Sequence, residues 1–305
     1  MNMKFDQAPQ SAKEKIEKEV QPELPIEAYR QNIIESISNN PSSIIISETG
    51  GGKTTRIPVY LLESFPEAKI AITSPRAFPA RSISTFVANG LGQQIGGEIG
   101  MITREQKLVG DNSRVIFMTD GVLLSMFKKD PLLMEYDIVM VDEAHERTLN
   151  IDFSLGLLRQ AQALRQEKEE RPLKIVVTSA TIEEDKFIEY FDTTKPVKVP
   201  GRMYPVETIY RPFVKNSERD DDGDMCEHAA QVTLEAVKEH SEGDVLIFMP
   251  GEDEINRTLE EIKAGLLRGS LQDQFEVLPL FASMQMKDQD AIFDKSGKRK
   301  IIVAT

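Results

Sequence analysis

The sequence predicts an α/β protein made of two tandem units, each a mostly parallel sheet flanked by helices. From Pro25 to about Val199, short β-rich runs alternate with helical patterns, which is how strands joined by crossover helices read. Runs such as Ile138-Val139-Met140-Val141 and Ile175-Val176-Val177 are continuously apolar, as strands buried on both faces require. Pro196, Pro200, Gly201, Pro205 and Pro212 then interrupt the pattern before a second β/α series begins. The first unit is therefore expected over residues 24–198 and the second over 199–305.

Taken in order, residues 1–23 are polar and charged (Lys13, Glu14, Lys15, Glu17, Lys18, Glu19) and read as a solvated tail. Strands follow at Ser43 to Ser47, Lys69 to Thr73, Arg114 to Thr119, Asp137 to Asp142 and Lys174 to Ser179, with a helix from Thr55 to Leu62 after the first. Glu218 to Asp224 reads as an exposed acidic loop. In the second unit, Asp244 to Met249 is a strand. Glu252 to Leu267 is a helix with Ile255, Leu259, Ile262 and Leu266 on one face, and Glu276 to Leu280 and Lys300 to Ala304 are strands. A β/α unit that stops on a buried-type strand reads as incomplete, so the chain is expected to be part of a longer protein.

Composition sets outer bounds. The 305 residues are 40% hydrophobic and 29% charged, which suits a globular protein of one large or two medium domains. No run of 18 apolar residues occurs, and the N-terminus lacks the apolar stretch of a secretion signal, so a cytoplasmic protein with no membrane contact is expected. Cys226 is the single cysteine, which excludes an internal disulfide, and with His145, His228 and His240 it makes no zinc-type spacing. Met118, Met126, Met134 and Met140 follow no helical period and read as core filler. A net charge of −13 disfavours broad attraction to nucleic acid, so any such partner must use a local groove.

Two runs carry candidate chemistry. Ser47-Glu48-Thr49-Gly50-Gly51-Gly52-Lys53-Thr54-Thr55 lies between an Ile-rich strand and a helix, the order that phosphate binding at a helix N-terminus requires. Its glycines permit close backbone approach, Lys53 supplies a cation, and Thr54 supplies a hydroxyl ligand for Mg²⁺. In Asp142-Glu143-Ala144-His145, at the end of a buried-type strand, Asp142 can hold Mg²⁺ through its water shell. Glu143 can orient or deprotonate an attacking water. Together they imply a site that binds and hydrolyses a nucleoside triphosphate. The usual loop pattern begins with Gly where this chain has Ser47, also a small residue.

Companion motifs then appear in order, and over about residues 24–305 the chain resembles the DEAH-box (DEAH/RHA) helicases. Glu48 to Thr55 resembles motif I, Thr73-Ser74-Pro75-Arg76 motif Ia, Thr119 to Leu124 motif Ib and Asp142 to His145 motif II. Ser179-Ala180-Thr181 is similar to motif III, Leu246 to Gly251 to motif IV, and Leu278 to Phe293 to the region after it. Glu146 to Phe153 and Gly201 to Glu207 are most similar to the bacterial HrpA-like branch.

The resemblance implies two RecA-like P-loop NTPase domains in tandem, the second truncated at motif V. It implies a monomeric enzyme that uses ATP or another NTP with Mg²⁺ to step 3′ to 5′ along single-stranded RNA, with protein activators as further partners. By the same resemblance, Glu48, Thr49, Gly50, Gly51, Gly52, Lys53, Thr54, Thr55 and Phe293 would bind nucleotide, and Thr54 and Asp142 would hold Mg²⁺. Glu143 would activate water, His145 would sense the γ-phosphate or the second domain, and Ser179 and Thr181 would couple hydrolysis to unwinding through hydrogen bonds near motif II. Arg76, Arg104, Thr119 and Thr305 match positions that touch RNA. The chain departs from the family at Ala77 and at Phe86, where arginine is usual.

Several alternatives stay open. Arg104 equally suits a surface ion pair, Phe86 and Phe293 equally suit core packing, and His145 could be a solvated loop residue. Ser47, Ala77 and the acidic balance also fit a non-catalytic RNA-binding scaffold, and no residue separates RNA from DNA as the track. The family's motif VI, which supplies arginine fingers worth roughly 10³- to 10⁵-fold in rate, would fall after Thr305. Residues 1–305 alone are therefore expected to bind nucleotide but hydrolyse it poorly.

Overall fold

In the computed structural model, which describes residues 24–48, 50–181, 184–193, 195–201, 205–213, 223–294 and 296–305, the branched apolar runs become strands within a residue or two of their expected places. The tail at 1–23, Thr49, Arg202 to Tyr204 and Glu218 to Asp222 lie outside the described residues. The chain divides into two compact units, Met1–Tyr204 and Pro205–Thr305.

The first unit holds an eight-stranded sheet. Its strands are β1 (Ser42–Ser47), β2 (Ile70–Ser74), β3 (Ile99–Ile102), β4 (Lys107–Leu108), β5 (Val115–Thr119), β6 (Ile138–Val141), β7 (Lys174–Ser179) and β8 (Val197–Val199). They lie in the order β4-β3-β5-β2-β6-β7-β1-β8, parallel throughout except for the β3–β4 pair. Alternate side chains point to opposite faces and feed two cores. Ile138 and Met140 of β6 join one core with α1 (Arg30–Asn39), α2 (Lys53–Ser64) and α3 (Ala77–Gly90), through Ile33, Ile37, Ile57, Leu61 and Val87. Val139 and Val141 join the other with α4 (Asp120–Phe127), α5 (Leu149–Glu167) and α6 (Glu184–Phe191), through Leu123, Ile151, Leu155, Leu158 and Phe187.

One buried cation fixes the approaches to the central strands. Arg165 of α5 is fully buried and donates to the carbonyls of Leu132 (2.7 Å), Leu133, Tyr136 (3.0 Å) and Arg171 (3.2 Å), so the turns entering β6 and β7 share one anchor. Burying an ionised group is tolerable only when its donors are met in this way.

The second unit contains α7 (Gly223–Glu239), β9 (Val245–Phe248), α8 (Glu252–Arg268), β10 (Phe275–Leu280), α9 (Met286–Asp290) and β11 (Arg299–Ala304). Its parallel sheet runs β10-β11-β9. Ile255, Leu259, Ile262 and Leu266, the expected face of α8, are all buried with Cys226, Phe275, Ile301 and Val303.

Three expectations need correction. Pro196 to Pro200 is not simply linker, because β8 between those prolines pairs with β1 at the sheet edge, where missing donors are tolerated. Gly223 and Asp224, expected in the acidic loop, instead open α7. Phe86 and Phe293 are 59% and 60% exposed, so neither is a core residue. Met118 and Met140 are core filler as expected.

Candidate active site

Parallel strands bring their carboxyl ends to one edge, where α/β sheets bind ligands. In spatial order, that edge carries Arg104 beyond β3, Thr119 at the end of β5, Arg76 beyond β2, Asp142 to His145 beyond β6, Ser179 to Thr181 at β7, and Gly50 to Thr55 beyond β1. Sequence order scatters these residues, and the strand order collects them.

The phosphate loop is shaped by steric demands. Gly52, which caps α2, has φ +93°, and a Cβ there would come within 2.9 Å of Leu24 Cδ1 and 3.1 Å of Ile26 Cγ2. A Cβ on Gly51 would lie 2.1 Å from Ser47 Oγ. Ser47 is buried against the loop, so the hydroxyl side chain at the departure fits because its neighbour is glycine. Thr55 Oγ1 donates to the Gly52 carbonyl (3.2 Å), closing the first turn of α2. Glu48 is exposed and packs against Gly201, where a Cβ would meet its Oε2 at 2.0 Å.

At the centre, Asp142 is 2% exposed with both oxygens engaged. Thr54 Oγ1 donates to Oδ2 (2.6 Å), and Thr178 Oγ1 donates to Oδ1. Burial raises this carboxyl above the usual range and the neighbouring Glu143 charge adds to the rise, while the Thr178 and Thr54 bonds and Lys53 oppose it. Lys53 is 4% exposed, and its Nζ lies 3.4 Å from Glu143 Oε1. Glu143 itself has φ +54°, in the left-handed region where non-glycine residues are strained. Its other oxygen lies 3.3 Å from His145 Nδ1.

His145 faces a choice. Nδ1 is also 3.4 Å from the Ala180 amide, so it either accepts from Ala180 or, when protonated, donates to Glu143. A solvated loop histidine would have neither contact. The motif III link to motif II runs through this amide and through Thr178. Ser179 Oγ donates to the Thr181 carbonyl (2.7 Å) and Thr181 is exposed, so of the triplet it is the Ala180 amide that bonds to motif II. Sequence reading passed over Thr178 because threonine in an apolar strand reads as a β-branched filler.

The polymer-side candidates are differently placed. The Arg76 side chain is 74% exposed, with Nη2 3.7 Å from Glu146 Oε2. Arg104 is exposed in the β3–β4 turn and has no ion pair among the described residues, so the alternative that gave it one has no partner. Thr119 pairs with Ser74 in register and stands before α4 without a side-chain capping bond. In the second unit, Thr305 is exposed, its amide donating to Leu280 (3.2 Å), and Phe293 projects from a short 3-10 turn.

The residues fit a magnesium-bound triphosphate. The ligand candidates are oxygen only, the cradle is backbone, and a buried ammonium stands beside it. Among the described residues no group of three His, Cys, Asp or Glu could hold a metal by itself, so Mg²⁺ here would need water and phosphate oxygens as well.

This edge and fold define a P-loop helicase core, and residues 27–188 match the DEAD/DEAH box helicase family. The chain belongs to that family. It is 39% identical over 284 residues to the ATP-dependent RNA helicase HrpA of Escherichia coli (strain K12), covering 92% of this chain and 21% of that protein. It is 37% identical over 286 residues to HrpA of Borreliella burgdorferi, covering 92% and 33%. The crystal structure of the Escherichia coli DEAH/RHA helicase HrpB superposes with a TM-score of 0.79 at 30% identity, covering 93% of this chain and 34% of that one. The chain thus spans a fifth to a third of the length of these curated relatives. Its eight-stranded sheet has the RecA-like helicase architecture. No helix among the described residues is long and apolar enough to cross a membrane.

Proposed function

We propose that this chain is the nucleotide-driven part of a DEAH-type, ATP-dependent RNA helicase that couples hydrolysis to 3′-to-5′ movement on single-stranded RNA and to remodelling of duplexes or ribonucleoproteins. The observation that carries the reading is the closed set Thr54–Asp142–Thr178 beside Lys53–Glu143–His145, built at the end of three different strands.

Each residue then has a physical task. The amides of Gly50 to Thr55 and the N-terminus of α2 receive phosphate oxygens, and buried Lys53 adds a full charge in a site of low dielectric. Thr54 and Asp142 would hold Mg²⁺, which supplies charge neutralisation on the phosphate oxygens when bound. A triphosphate competes with Glu143 for Lys53, leaving the Glu143 carboxylate to align a water and accept its proton. His145 and Thr178 tie that centre to β7 and the motif III turn, and Arg76, Arg104, Thr119 and Thr305 are the RNA contacts.

The test is hydrolysis of ATP by the purified full-length protein with Mg²⁺, alone and with single-stranded RNA or DNA of equal length. RNA-stimulated turnover is expected. Nucleotide binding with no turnover under any condition would favour the scaffold reading, and stimulation by DNA alone would change the track.

A further inference from the structure

The phosphate loop rests on residues that precede its own strand. Pro25–Tyr29 form a short 3-10 turn capped by Leu24, whose carbonyl accepts from the Glu27 amide (3.0 Å). Leu24 and the fully buried Ile26 are the side chains that a Cβ on Gly52 would strike, so they floor the left-handed cap of α2. Glu27 then reaches along the helix. Its Oε1 lies 2.6 Å from Arg56 Nε, and its Oε2 accepts from the Tyr60 hydroxyl (2.8 Å). Arg56 and Tyr60 are one turn apart and stand on one face of α2. The Arg56 amide also donates to the Gly52 carbonyl (2.9 Å), so the residue that Glu27 grips is one that closes the first turn after the loop.

Packing alone does not call for this carboxylate. The Arg56 and Glu27 side chains are 46% and 24% exposed, and a pair so open to water adds little to stability. The Tyr60 hydroxyl does need an acceptor. Burial holds it well above the usual phenol range and the Glu27 bond adds to the rise, so it stays a donor. A neutral amide oxygen would meet that need. What the carboxylate adds is a second grip on the same helix, one turn nearer the loop. Glycine-rich backbone has the most freedom to lose when it closes on a ligand, and here floor and grip restrict it beforehand.

We propose that Glu27 is a positioning residue for the triphosphate, holding the first turn of α2 against Leu24 and Ile26 so that Gly52, Lys53 and Thr54 are set before phosphate arrives. This rests on the reading of Gly50 to Thr55 as a phosphate loop. Pre-organisation of this kind strengthens binding by cutting an ordering cost, with no contact of its own to the ligand.

The test measures binding of ATP and of inorganic tripolyphosphate, each with Mg²⁺, to the whole chain and to Glu27→Ala, Glu27→Gln, Lys53→Ala, Tyr60→Phe and the Glu27→Ala/Tyr60→Phe double variant. Glu27→Ala should weaken both ligands by the same factor, roughly three- to tenfold, because both are held by phosphate oxygens. Glu27→Gln should fall between and serves if Glu27→Ala does not fold. Tyr60→Phe removes the buried hydroxyl, so a Glu27 that served only as its acceptor would become dispensable in that background. The double variant should instead bind both ligands about threefold more weakly than Tyr60→Phe. Affinity restored by Tyr60→Phe, or a Glu27→Ala protein that melts earlier with both affinities unmoved, overturns the proposal. Lys53→Ala separates the two readings and should weaken both ligands by about tenfold or more. If it leaves both unchanged, the phosphate-loop reading falls and takes the positioning role with it. A loss in Lys53→Ala beside none in Glu27→Ala means only that Glu27 does not position the loop. Amide exchange at residues 51–55, followed without nucleotide, should quicken in Glu27→Ala, and unchanged exchange also overturns the proposal.

Discussion

The two halves of the first sheet's carboxyl edge are built in opposite ways. From β6 to β1, Lys53, Asp142, Thr178 and Ser179 are buried and bonded to one another or to nearby backbone. From β3 to β2, Arg76 and Arg104 stand exposed, and the one ion pair either makes among the described residues is the loose 3.7 Å approach of Arg76 to Glu146. A triphosphate has fixed size and charge, so a site for it gains from rigid, desolvated groups. A polymer that must slide needs contacts that form and break, and exposed arginines on short turns supply those. On the function proposed above, the buried half of the edge would do the chemistry and the exposed half would hold the track.

The largest way to break this contrast lies on the buried side. Lys53→Ala and Glu143→Gln should each lower RNA-stimulated turnover at least about 10²-fold, read from steady-state hydrolysis. Near-normal rates would mean that burial there is only structural. Thr178→Val keeps the shape but leaves Asp142 Oδ1 without its donor, a loss of about 1–3 kcal/mol. The Mg²⁺ concentration for half-maximal turnover should rise roughly tenfold, and no change would remove Thr178 from the site.

On the exposed side the effects should be smaller and salt-dependent. Arg76→Ala is expected to weaken single-stranded RNA about three- to tenfold and to flatten the slope of log affinity against log salt by about 0.7. Arg104→Ala, at the far end of the edge, should cost only about two- to threefold in the same titration. A salt-independent loss at either position would point to shape and not to phosphate contact.

Much of this was legible in the chain. The central strands and α8 fall where apolar runs and helical spacing put them, because burial on both faces or on one stripe leaves a plain signature. Three short strands were not legible. Ile99-Gly100-Met101-Ile102 contains a glycine, Lys107–Leu108 is two residues long, and Val197-Lys198-Val199 hides between prolines. Of the site, the residues with unusual chemistry at fixed spacing stood out, while those defined by a distant partner did not. Thr178 matters through Asp142, 36 positions away, a partner that no local pattern around Thr178 announces.

The 3.7 Å approach of Arg76 to Glu146 spans the border between the two halves, since β2 and β6 are neighbours and Glu146 follows motif II directly. One guanidinium cannot fully neutralise Glu146 and an RNA phosphate at the same moment. On the proposed function, RNA that engages Arg76 would change the charge felt next to the motif II turn, and linkage would make the effect mutual: whatever factor nucleotide applies to RNA affinity, RNA must apply to nucleotide affinity. Measuring either factor fixes the other.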